Sequence, residues 1–422
     1  MTFLSKHNYM KSLLIAISLG LGGFLLWALQ PTPDDFLQKK LRRNLEHRVQ
    51  ISNSIRNSVK KSQFPTQAEL TIGSKQGNFH VAYTLDPKLQ LEAENLLKSY
   101  KPDYGAIFMM DAKTGQVLAM ASFDKGDSDA DHMALKASYP AASVFKIVTA
   151  TTAIDRAGVS PGHSISFNGG NYTLYRKNVM SEKINRWTRT ITLRDAFARS
   201  INTAFGRLSL QNFEPTDLNE YANRFMFNQV IPSDFPIDMS IATVPAEKNF
   251  AFTEVASGYN KLNRMSPVHG AMIAGSIVND GKMVIPYLID EISDSDGLQI
   301  YKGETLEKGQ IMTEASALKV KELMEQTILS GTSRKSFRSL VKNKNFREIE
   351  MGGKTGHLTG DNPKGRVDWF VGYALDETRK ISLAAVTVNV KYWTVKSAHL
   401  GQSMFKKYFD PPVIRKRVAL SQ

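Results

Sequence analysis

GAIFMMDAKTGQVLAMASF, residues 105–123, decides the fold: two apolar runs flank Asp111-Ala-Lys-Thr-Gly115, a turn carrying a glycine, and so predict a β-hairpin. A second stretch of the same kind, DWFVGYALDETRKISLAAVTVNV (368–390), breaks at the polar Asp376–Lys380 turn, and REIEMGG (347–353) before it reads as a further strand. Between the hairpins the apolar period changes to that of helices, in LRDAFARSINTAFGRL (193–208), SPVHGAMIAGSIVNDG (266–281) and EASALKVKELMEQTIL (314–329). Strands at both ends around a helical middle predict an α+β fold in which a single antiparallel sheet joins the ends of the domain.

The chain has 422 residues, 42% apolar and 22% charged, within the range of ordinary folded proteins. It has no cysteine, which excludes disulfides, thiolate metal sites, iron–sulfur clusters and a cysteine nucleophile. The histidines at 80, 132, 163, 269 and 399 lack ligand spacing, so no metal is expected, and without a P-loop or a strand-turn-helix G-x-G-x-x-G no nucleotide or other cofactor is expected either. The net charge of +14 raises the question of nucleic acid. No zinc-finger spacing or RNP-like aromatic motif accompanies it, and residues 36–75 hold nine Lys/Arg against Glu46 and Glu69, so nucleic acid is not the expected partner.

Residues 12–29, SLLIAISLGLGGFLLWAL, are uncharged and cover about 27 Å as a helix, one hydrocarbon core. A membrane anchor is expected over a cleaved signal peptide, since no A-x-A site follows. Lys6 and Lys11 before the span and five Lys/Arg soon after it leave orientation open. Leu37, Leu41, Leu45, Val49, Ile55 and Val59 then recur at helical spacing, a basic amphipathic helix that reads equally as a contact for anionic lipid or as a solvated stalk. The expected organisation is a tail and anchor over 1–30, a basic helical linker over 31–75 and a catalytic domain over 76–415.

Within YPAASVFKIVTATTAI (139–154), Pro140 precedes a helix that Ser143 should open, with Lys146 one turn on, on the same face. That spacing places an amine beside a hydroxyl, and a lysine activates a serine only when burial or another cation lowers its pKa. Alone the pattern carries little, since Ser58/Lys61, Ser122/Lys125, Ser339/Lys342 and Ser403/Lys406 share it. Ser200-Ile-Asn202 and Lys354-Thr355-Gly356 follow in order, and they too have decoys, in Ser166-Phe-Asn168 and Lys113-Thr114-Gly115. A hairpin tip keeps Lys113 in water, whereas Gly352-Gly353 lets a ligand backbone approach the strand edge at Lys354.

In these three motifs the sequence resembles the penicillin-binding serine acyltransferase family over roughly residues 80–410. TLDPKLQ (84–90), DAKTGQVLAMAS (111–122), MSPVHGAMIAGSIVNDGK (265–282), LSGTS (329–333) and WFVGYA (369–374) are similar to lesser marks of its transpeptidase domains. The resemblance implies a five-stranded antiparallel sheet flanked by helices, with an all-helical subdomain. It implies that Ser143 attacks the D-Ala-D-Ala peptide bond of peptidoglycan stem peptides, that β-lactams acylate the same serine, and that Lys146 is the base. Ser200 would pass the proton to the leaving amine, Asn202 would bind the substrate amide, and Lys354 with Thr355 would bind the terminal carboxylate. The residue after Gly356 would supply an oxyanion amide with that of Ser143. That residue is His357, where the family places Thr or Ser, so its backbone role is expected to survive and slower acylation to follow from the lost hydroxyl. The family's substrate implies a single-pass protein of the cytoplasmic membrane with its body outside, and the short spacer implies no glycosyltransferase domain of its own and possible work with a separate one. Alternatives within the family are a D,D-carboxypeptidase or endopeptidase, or a β-lactamase with an added base such as Glu182. Outside it stands a non-catalytic β-lactam sensor or wall scaffold.

Overall fold

In a computed structural model the described residues are 33–127 and 129–410. The chain divides into two units, 1–48 and 49–422. Of the first, the start of helix α1 (Pro33–Ser54) is described. The expected span at 12–29 lies outside the described residues, and among those described no helix is long and apolar enough to cross a membrane.

In the second unit, strands β1 (Gln67–Ile72) and β2 (Lys75–Tyr83) form a hairpin, followed by helix α2 (Pro87–Tyr100) and the expected hairpin β3 (Tyr104–Asp111) and β4 (Val117–Asp124). A 3-10 turn, Ala142–Phe145, leads into helix α3 (Lys146–Thr151); helices α4 (Leu193–Ala198), α5 (Asn202–Asn212) and α6 (Pro267–Val278) come next. Strands β5 (Ile289–Ser293) and β6 (Gln299–Lys302) and helix α7 (Glu314–Leu329) precede the closing β7 (Glu350–Asp361), β8 (Lys364–Leu375), β9 (Lys380–Asn389) and helix α8 (Ser397–Phe409).

The main sheet is antiparallel with order β7-β8-β9-β3-β4, so the two hairpins predicted from opposite ends of the sequence meet where β9 pairs β3, from Ile381–Asp111 to Val388–Tyr104. Its central strands are buried on both faces and therefore read as continuous apolar runs. Helix α6, buried along its whole length, covers one face, and α2 and α8 cover the other.

A single sheet is not what forms. Among the described residues a second, four-stranded sheet has order β1-β2-β5-β6, and three two-stranded ribbons accompany it. The helical reading of 31–75 gives way at Gln67: Glu69 is exposed while Leu70 and Ile72 are buried, a strand alternation that turns at Gly73 (φ +61°). Nor is the segment before it a solvated stalk, because Ile51, Ile55 and Val59 are buried in the main core.

Candidate active site

The nucleophile candidate sits where the helical middle meets the edge of the main sheet. Ala142 takes a left-handed conformation (φ +49°), and from it the chain runs through the 3-10 turn into α3, so that Ser143 lies in a first turn and Lys146 one turn on. Two contacts leave little freedom behind this turn. A Cβ on Gly258 (φ +60°) would fall 2.0 Å from the Ala142 carbonyl oxygen, and a Cβ on Gly356 of β7 would press on Ala142, Val144 and the Val144 amide at 3.2–3.3 Å. Trp369 of β8 donates its indole N–H to the Pro140 carbonyl at 2.9 Å, which fixes the approach to the turn.

Helix 193–208 is broken in the structure. Ser200 N–H bonds the Phe197 carbonyl and Ile201 N–H that of Ala196, the paired bonds that close a helix on a left-handed residue, and Ser200 is that residue (φ +57°). The break between α4 and α5 is what turns Ser200 and Asn202 toward Lys354 and Lys146 respectively.

Lys146 Nζ lies 2.8 Å from Ser143 Oγ, 2.7 Å from Asn202 Oδ1 and 2.5 Å from the Ser257 carbonyl oxygen. Burial, reinforced by the charge of Lys354, holds its pKa well below the ordinary lysine value. The three contacts satisfy the three N–H groups of the ammonium, and once its lowered pKa lets the amine go neutral it can keep two donations, to Asn202 Oδ1 and Ser257 O, and turn its lone pair to the Ser143 hydroxyl proton. Lys354, likewise fully buried, donates to Ser200 Oγ at 2.9 Å and to the Thr355 carbonyl at 2.8 Å, and burial lowers its pKa to about 7. Ser257 Oγ donates to the Asn202 carbonyl at 2.9 Å, so residue 257 braces two of the three motifs at once.

All three motifs converge on a cavity of about 560 Å³ lined by Ser143, Ser200, Asn202, Thr355 and His357, with both lysines beneath it. The decoys do not join it. Lys113 stays in an exposed turn organised by the Asp111 carboxylate, and Ser166 and Asn168 line a separate cavity, where Glu182 also lies. Glu182 is thereby removed from the Ser143 cavity and from the role of added base.

Several residues of the cavity were not singled out by sequence. Thr332, in the LSGTS stretch, shares a 2.6 Å hydrogen bond between hydroxyls with Thr355. His357 pairs its Nε2 with Asp368, its neighbour across strands β7 and β8, and packs edge-on to Trp393 with centroids 5.5 Å apart. Asp368 is 1% exposed and accepts the Ser397 amide at 2.6 Å. Lys396 holds its ammonium 2.8 Å from the centre of the Trp393 ring. Register alone gave a signal for Asp368, because it stands opposite His357 if the 347–353 strand continues through the third motif.

The penicillin binding protein transpeptidase domain matches residues 105–410. Among curated proteins, stage V sporulation protein D of Bacillus subtilis is 22% identical over 317 residues, 71% of this chain and 47% of that protein, so the chain spans about half its length. Peptidoglycan D,D-transpeptidase PbpA of Mycobacterium tuberculosis is 22% identical over 356 residues, 76% of this chain and 70% of that protein. Of solved structures, the D,D-transpeptidase domain of a peptidoglycan glycosyltransferase from Eggerthella lenta superposes with a TM-score of 0.64 at 25% identity, covering 80% of this chain and 84% of that one. Penicillin-binding protein A of M. tuberculosis, in its imipenem acyl-enzyme complex, has a TM-score of 0.65 at 21% identity over 78% and 79%. The order of motifs, the sheet that joins the two ends of the domain and the extent of the match agree: the chain belongs to the penicillin-binding protein transpeptidase family.

Proposed function

We propose that the protein is a D,D-transpeptidase that cross-links peptidoglycan stem peptides through an acyl-enzyme on Ser143. The observation that carries this reading is the buried Lys146 Nζ 2.8 Å from Ser143 Oγ, held there by Asn202 Oδ1 and the Ser257 carbonyl. Lys146 takes the hydroxyl proton as Ser143 Oγ bonds to the penultimate D-alanine carbonyl. The backbone amides of Ser143 and His357 hold the oxyanion. As the C–N bond breaks, Ser200, hydrogen-bonded to Lys354, passes a proton to the departing D-alanine amine. Asn202 holds the substrate amide, and Lys354 and Thr355 its terminal carboxylate. An acceptor amine then displaces Ser143 and forms the cross-link. The 12–29 segment anchors the chain in the cytoplasmic membrane with its body outside.

The His357–Asp368 pair supports a second reading, hydrolysis of the acyl-enzyme, because an imidazole oriented by a buried carboxylate in the acyl cavity is a base that could serve water. Labelling the full-length protein in detergent with a fluorescent penicillin separates the two. Stable label, lost in Ser143→Ala and kept in Ser58→Ala, is the expected result. Rapid loss of label from wild type moves the reading to a carboxypeptidase or β-lactamase, and no label leaves the scaffold or sensor.

A further inference from the structure

The end of one further helix belongs to none of the three motifs yet is bonded to two of them. Helix Phe250–Ala256 closes on Gly258, which is left-handed (φ +60°), with Gly258 N–H on the Val255 carbonyl and Tyr259 N–H on that of Glu254. These paired bonds close a helix ahead of a left-handed glycine. The two carbonyls that follow, of Ala256 and Ser257, go instead to side chains of α3. Thr149 Oγ1 donates to the first at 2.8 Å, and Lys146 Nζ to the second at 2.5 Å. Ser257 is fully buried, and its Oγ donates to the Asn202 carbonyl at 2.9 Å, at the start of α5. One helix end therefore grips the helices of the first and second motifs together.

We propose that Ser257 is a positioning residue for acylation: its carbonyl holds Lys146 Nζ at Ser143 Oγ and receives the ammonium as it forms, and its hydroxyl fixes that carbonyl through Asn202. The inference rests on the acyl-enzyme reading above. As Ser143 Oγ bonds to the substrate carbonyl carbon, its proton passes to Lys146, and none reaches Ser257. The donation from Lys146 to the Ser257 carbonyl then becomes charge-assisted. It is stronger in the transition state than in the ground state, which is the condition for lowering the barrier. The carbonyl end of a helix also favours a cation. Around Lys146 stand Lys354 of β7, whose charge opposes the ammonium, and from α5 the Phe205 ring face at 5.5 Å and Asn202 Oδ1. No carboxylate among the described residues forms an ion pair with Lys146, so the new charge rests on two acceptors, Asn202 Oδ1 and the Ser257 carbonyl.

The test is the rate of acylation of the full-length protein in detergent by a fluorescent penicillin, followed against pH and penicillin concentration. Ser257→Ala should slow acylation at saturation at least about tenfold and leave the half-saturating concentration unchanged. It should also move the acid limb of the rate to lower pH, because a loosened acceptor favours the neutral amine. Partial unfolding would lower the rate without moving that limb. Thr149→Val withdraws the tie at Ala256 alone and should shift rate and limb in the same direction by less, so it reads the same helix end should Ser257→Ala not fold. Acylation of Ser257→Ala at the wild-type rate, or a slower rate with the acid limb unmoved, overturns the proposal and leaves Ser143 as the nucleophile. Wild-type protein that takes no label at Ser143 overturns the proposal together with the reading it rests on.

Discussion

Replacing Lys354 with methionine should change how stability depends on pH, by an amount the structure sets. Burial lowers the Lys354 pKa from 10.5 to about 7, while the unfolded chain keeps the ordinary value. In the window between these values the unfolded state binds the extra proton, so stability is fully present above pH 10.5 and is lost as pH falls toward 7. At 1.36 kcal/mol per unit the complete loss is about 5 kcal/mol. Between pH 9 and pH 6 the same relation gives about 3 kcal/mol. Lys354→Met removes this slope and also the hydrogen bonds to Ser200 Oγ and the Thr355 carbonyl, but the latter loss is an offset that does not depend on this pH window. Denaturant midpoints of both proteins at pH 6, 7.5 and 9 measure the difference. The wild type should gain about 3 kcal/mol more than the variant on going from pH 6 to pH 9, and the variant should have lost penicillin labelling. Equal slopes would mean that Lys354 keeps the ordinary lysine pKa and stays charged from pH 6 to pH 9, so that burial does not release its proton.

Three further outcomes follow from the same contacts. Ser200→Gly relieves a left-handed serine, a gain of about 1 kcal/mol, but takes the hydroxyl acceptor from buried Lys354 at a cost of about 1–3 kcal/mol, so stability should fall by no more than about 2 kcal/mol while acylation slows at least about a hundredfold; a loss well beyond that would contradict the helix-closing role of residue 200. His357→Thr restores a hydroxyl at the carboxylate end and should raise the acylation rate roughly tenfold, yet cost about 1–3 kcal/mol because Asp368 loses its imidazole partner; acylation no faster than wild type removes the first half of that expectation. His132 is buried, with Nε2 on the Met120 carbonyl and Nδ1 accepting the Ala134 amide, so burial lowers its pKa from 6.5 to about 4. Stability from His132 is full above pH 6.5 and is lost as pH falls to 4, about 3 kcal/mol in all, and His132→Gln should flatten that part of the acid unfolding curve.

What was legible in the sequence was what repeats locally. The apolar runs around Asp111–Gly115 and Asp376–Lys380 specify their hairpins through turn chemistry alone, and the pairing of β9 with β3 follows from burying both. The three motifs were legible as an ordered set. The break at Ser200 was not, because serine is an ordinary helix-surface residue and nothing short of the backbone reveals that it stands where glycine would close the helix. Strands β1 and β2 are harder to read because β5, the strand that joins their hairpin to a sheet through β2, lies some two hundred residues on, and the basic run before them favours a helix.

The reading of the two lysines also says how a substrate would switch the site on. Each lowers its pKa chiefly by burial, and the charge of Lys354 lowers that of Lys146 further. With its pKa at about 7, Lys354 is only partly charged at neutral pH. On the proposed reading, the donor peptide brings a carboxylate to Lys354 and Thr355, and an opposite charge at close range favours the protonated amine. Binding therefore charges Lys354 at the moment when Lys146 must be neutral, and that charge keeps the proton off the base until Ser143 supplies it. An anionic donor is then doubly selected, by contact and by its effect on the catalyst, whereas an ester without the carboxylate receives only the unassisted base. The two substrates should differ in the pH dependence of acylation as well as in its rate. If the acid limb for the uncharged ester coincides with that for the anionic donor, Lys354 binds the carboxylate without tuning the base.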